Sequence, residues 1–104
     1  MKFSRSDLIF DKDYIWQAAR NDAVKITNSP DSDLLNRKEG YEVLYFIQQF
    51  LKKRGIRGVK KGKRIEIMLQ NYVPASVRNR ADIETWLDDN FDKLNTEITK
   101  KYSV

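Results

Sequence analysis

The chain has no cysteine and no histidine, only two prolines and four glycines in 104 residues, and no apolar run longer than Val43 to Ile47. Each absence excludes something. Without thiols or imidazoles there is no disulfide framework, Cys/His zinc site, haem ligand, thiol nucleophile or imidazole base. A membrane-spanning helix needs about 20 predominantly apolar residues, so none is expected. The first thirteen residues include Arg5, Asp7, Asp11, Lys12 and Asp13 where a secretory leader would have its apolar core, which points to a soluble, cytoplasmic protein.

What is present suffices for a core. Leu, Ile, Val and Phe make up 28 of the 104 residues, above the level at which disorder is the default. A chain of this length buries roughly two-thirds of the surface its unfolded form exposes. There is no repeat and no low-complexity segment, and Pro30 and Pro74 stand alone, so residues 1–104 read as one domain.

Hydrophobic spacing predicts a mainly α fold of four or five helices around a central helix at about 36–54. The first helix ends near Arg20, with Ser6 or Asp11 as its cap and Tyr14, Ile15, Ala18 and Ala19 on its inner side. Val24 to Thr27 reads as a possible short strand, and Asn28 to Asp33 as a loop. The central helix starts at Asn36, with Glu39 completing a capping box, and stops at Gly55. Its apolar residues sweep over half the circumference and leave a narrow polar window through Glu42, Gln49 and Lys53, so that Leu44→Asp should unfold the domain. A last helix follows the capping pair Asn79 and Asp82. It buries Ile83, Trp86, Leu87, Phe91, Leu94 and Ile98, and turns Glu84, Asp88, Asp89 and Asp92 outward. Residues 64–72 fit a helix ending ahead of Pro74. The alternative is an α+β fold with a basic β-hairpin at about 56–69, turning at Lys60 to Lys63.

Familiar catalytic patterns are missing. The pairs Asp11/Asp13 and Asp31/Asp33 suit caps and turns better than Mg²⁺, and the second lacks the glycine and glutamate of a calcium loop. No acid stands two residues before a lysine, as a metal-dependent nuclease strand requires. Gly58 and Gly62 are one residue too close for a triphosphate-binding loop, with Arg64 in place of its Ser or Thr. There is no Gly-x-Ser-x-Gly elbow, and 36–54 is too apolar for a recognition helix. The expectation is a small non-enzymatic binding protein without cofactor or metal.

Its strongest signal is electrostatic. Eight of the thirteen residues from 52 to 64 are basic (Lys52, Lys53, Arg54, Arg57, Lys60, Lys61, Lys63 and Arg64), three are glycine and none is acidic. The rest of the chain, with 12 basic and 15 acidic residues, is net −3. Arg78 and Arg80 join this stretch if the last two helices pack antiparallel. The plain reading is a solvated loop that keeps the protein soluble. The sharper one is a site for nucleic-acid phosphates or for an acidic protein partner, with Tyr45 as the best placed aromatic for stacking. Five of the eight charges on duplex phosphates would give a slope of log K against log salt of about −4 to −5. Alternatively the C-terminal helix, about −5 from Asp82 to Glu97, docks on a basic partner or on the basic stretch of a second copy.

Overall fold

The computed structural model describes residues 3–16 and 34–104. It is mainly helical, as the periodicity predicts. Among the described residues there are three α-helices rather than four or five: α1 (Gly40–Arg54), α2 (Val59–Asn71) and α3 (Arg80–Tyr102). The expected strand at 24–27, the loop at 28–33 and the end of the first helix near Arg20 lie outside the described residues.

The first helix does not form over residues 6–16. Instead, an arm with two single 3-10 turns, at Arg5–Asp7 and Asp11–Asp13, lies across the helices. Ser4 and Asp7 close the first turn reciprocally, the Ser4 N–H donating to Asp7 Oδ2 at 2.9 Å and the Asp7 N–H to the Ser4 carbonyl at 2.9 Å. The physical reason is tertiary. The N–H groups of Ile9 and Phe10, which a helix would spend on its own carbonyls, donate to the Glu66 carboxyl group on α2, at 2.6 and 3.0 Å. Phe3, Leu8 and Tyr14 then bury their side chains in the core.

Helix α1 begins at Gly40, later than the capping box places it. The arm pairs with residues 38–40: the Ile15 N–H donates to the Lys38 carbonyl and the Gly40 N–H to the Ile15 carbonyl, both at 2.8 Å. That pairing holds Glu39 extended, so Glu39 becomes the N-cap and accepts the Tyr41 N–H at 2.8 Å. Asn36 is left to close a local turn on the Lys38 N–H at 3.0 Å. A methyl at Gly40 would run into the Trp16 ring, which stands edge-on to Tyr41 at 5.0 Å. Val43, Phe46, Ile47, Phe50 and Leu51 of α1 are buried. Leu44 is only half-buried, so Val43 or Ile47 is the position where a charge would unfold the domain. Gly55 stops the helix at φ 64°, where its N–H reaches the carbonyls of Leu51 and Lys52.

Residues 59–71 are continuous helix, which overturns the hairpin alternative and the reading of the basic run as a loop. Ile65, Ile67, Met68 and Leu69 are all buried, on more than one face, because α1, α3 and the arm pack around α2. Past its end, the Arg37 guanidinium gathers the carbonyls of Leu69 (3.3 Å), Val73 (2.8 Å), Pro74 (2.9 Å) and Val77. Burial lowers the pKa of this guanidinium. Asn79 caps α3 as expected, accepting from the N–H groups of Ala81 and Asp82 at 2.8 and 3.4 Å. Of the expected stripe on α3, Ile83, Leu87 and Ile98 are buried, while Trp86, Phe91 and Leu94 are partly so. None of the described helices is long and apolar enough to cross a membrane.

Candidate functional site

The basic residues occupy one corner of the fold. Lys52, Lys53 and Arg54 form the last turn of α1, Arg57 lies in the connection, and Lys60, Lys61, Lys63 and Arg64 form the first turns of α2. The α1 cations sit at a helix C-terminus, where the macrodipole favours them. Those of α2 sit where it opposes them. Gly58, at φ 106°, precedes α2 without a side-chain cap, and no acid stands in the first turn.

Half of this set is engaged inside the fold. Arg54 grips Asp88 of α3 with two parallel bonds, Nε to Oδ1 at 2.7 Å and an Nη to Oδ2 at 2.6 Å, and reaches Glu84 at 3.3 Å. It also lies 3.8 Å from the centre of the Phe50 ring. The bonds to Asp88 raise the Arg54 pKa and hold the Asp88 carboxyl below the usual carboxylate range. Lys53 pairs with Glu84 at 3.1 Å. Glu84 and Asp88 therefore tie α3 to α1 rather than simply facing water. Lys63 donates to the Asp7 carbonyl at 2.5 Å and Arg64 to the Val104 carbonyl at 3.0 Å.

Lys52, Arg57, Lys60 and Lys61 remain. All four are exposed, and no carboxylate among the described residues pairs with any of them. Lys61 Nζ lies 5.6 Å from the centre of the Phe91 ring.

Arg80 does not join this corner. It donates to the Leu34 carbonyl at 2.9 Å and pairs with Glu42 at 3.0 Å, ten residues and about 15 Å along α1 from Lys52. Arg78 lies at that same distant end, its carbonyl accepting the Leu35 N–H at 3.0 Å. The cause is the antiparallel bridge between Leu34 and Asn79, which fixes the start of α3 against the chain leading into α1.

Beside the basic corner opens a cavity of about 350 Å³, lined by Phe3, Gln48, Gln49, Leu51, Lys52, Ile56, Gly58 and Val59. Its signal in sequence is faint, because Phe3 arrives from the arm and Ile56 from the connection. Tyr45 is half-buried on α1 and does not line it.

A second site was missed by sequence reasoning. Glu66 is fully buried, and besides the two arm N–H groups it accepts the Tyr14 hydroxyl at 2.7 Å. Burial and this bond push the Tyr14 pKa upward. The legible signal was a lone acid within the apolar run Ile65 to Leu69. With every strong acceptor oxygen of Glu66 engaged by donors from the arm, its geometry is that of an anchor. Among the described residues no three carboxylates converge as a metal site would need, and Asp11 and Asp13 stand in a 3-10 turn.

Comparison with protein-family models, curated proteins and solved structures finds no match to this chain.

Proposed function

We propose that this is a small non-enzymatic binding protein that takes nucleic-acid phosphates on the corner where α1 ends and α2 begins. The observation that carries the reading is the group Lys52, Arg57, Lys60 and Lys61, four exposed cations without a carboxylate partner among the described residues. Arg54 and Arg80, by contrast, are both paired. The start of α2 supports it: lysines and an uncapped helix end repel one another, and an anion relieves that cost.

Four contacts, not five, now set the expected salt dependence. At about −0.9 per duplex phosphate, log K against log salt falls with a slope of about −3 to −4. Binding is weak and largely indifferent to sequence, because phosphate contacts fix position on the strand and carry no sequence information. Fluorescence anisotropy with labelled DNA and RNA across a salt series tests this. Replacing Lys52, Arg57, Lys60 and Lys61 together by Gln flattens the slope by about three units. A parent that binds neither nucleic acid at low salt, or a substituted protein that binds as the parent does, overturns the reading.

A second reading rests on α3. Asp82 and Asp89 flank the half-buried Trp86 at the rim of a cavity of about 330 Å³, and with Asp92 they are exposed without ion pairs among the described residues. In this reading the helix docks on a basic protein partner, or on the basic corner of a second copy. Light scattering tests self-association: a monomer at both low and high salt excludes it.

A further inference from the structure

Resting on the phosphate-binding reading of the basic corner, we infer that the adjoining cavity takes one unstacked nucleobase, so that the ligand is a single strand rather than a duplex. The argument is one of complementary chemistry. Phe3, Leu51, Ile56 and Val59 give the cavity apolar walls. Gln48 and Gln49, the two lining residues with amide side chains, complete the wall on α1. Gln48 spends its Nε2 on the Phe3 carbonyl at 2.7 Å, which leaves Oε1 to accept, and Gln49 has no hydrogen-bond partner among the described residues. The occupant therefore has apolar faces and a hydrogen-bonding edge. It also bears negative charge outside the cavity, because Lys52 stands at the wall and Arg57 and Lys60 flank Gly58 and Val59 in the chain. A nucleotide within a strand has all three properties, and about 350 Å³ falls in the range of small-ligand sites. In a duplex the base is paired and stacked, so it cannot enter without first being extruded.

The test uses the whole protein and three probes of equal phosphate count: a thymidine strand, the same strand with every base removed, and a duplex. Base contacts of this kind change affinity by about tenfold or more, without changing the number of phosphates neutralised. The expected result is that the thymidine strand binds at least about tenfold more tightly than the abasic strand. The salt slopes of these two single strands are equal. Gln49→Trp, which fills the cavity from an α1 position without a hydrogen bond, brings the thymidine strand down to the level of the abasic one and leaves the slope unchanged. Equal affinity for the thymidine and abasic strands overturns the base site while the phosphate reading stands. So does a duplex that binds as tightly as the thymidine strand. Full retention of the preference in Gln49→Trp also overturns it, because the base then sits elsewhere. Failure of all three probes to bind at low salt overturns both readings, and tighter binding of a poly-glutamate peptide of equal charge assigns the corner to an acidic protein instead.

Discussion

The two halves of α2 use charge in opposite ways. From Val59 to Arg64 the helix carries four basic residues, two of them exposed, and its one buried position is Gly62, against which the Phe3 ring packs. From Ile65 to Leu69 every residue is buried, and the single charged type, Glu66, is 0 % exposed. The first half holds charge where water or a ligand can reach it. The second holds an acid where three donors of the arm converge. A charged side chain contributes to folding through the partners its burial forces on it, so Glu66 has structural weight and Lys60 has almost none. Lys60 and Lys61 are exposed at the start of α2, so replacing them removes no buried contact.

The largest effect that would break this contrast is at Glu66. Glu66→Ala leaves the N–H groups of Ile9 and Phe10 and the Tyr14 hydroxyl without their acceptor, and should cost about 3–5 kcal/mol in urea unfolding. A loss under about 1 kcal/mol would mean that the arm is not anchored there. Next comes Gly62, the contact between the basic half and the arm. A methyl at this position would meet the Phe3 ring, so Gly62→Ala should destabilise by about 1–3 kcal/mol despite its better helix propensity. A gain in stability would show that Phe3 yields freely.

The paired fraction of the basic corner supplies a smaller, pH-dependent effect. Arg54 lowers the Asp88 pKa in the folded protein, so the pair adds stability above the ordinary aspartate value of about 3.9. That contribution fades as pH falls through the lowered folded value. Because the Asp88 side chain is 49 % exposed, solvent screening keeps the contribution under about 1 kcal/mol. Urea midpoints of Asp88→Asn should therefore trail the parent at pH 7 and converge with it near pH 2. A constant gap across that range would locate the effect elsewhere. The smallest change is expected for the fourfold Gln variant of Lys52, Arg57, Lys60 and Lys61, within about 0.5 kcal/mol of the parent while its salt-dependent binding is lost. A large shift in its melting temperature would give those four cations a structural role.

Local patterning determined much by itself. The absence of Cys and His removed whole classes of site chemistry, and the buried faces of α1 and α3 follow from spacing at 3.6 residues per turn. Gly55 and Asn79 set helix ends because their conformational or capping chemistry is local. The excess of positive charge at 52–64 is likewise a property of the chain alone. Only the tertiary structure decided which of those charges are engaged, since Glu84 and Asp88 reach Arg54 from 30 and 34 residues away. It also decided that residues 6–16 form an arm and that α1 starts at Gly40, because donors in the arm bond to Glu66 and Lys38 instead of to their own neighbours. Hydrogen-bonding capacity is written residue by residue in the sequence, but its partners are chosen by which distant segments the buried core brings within about 3 Å of one another.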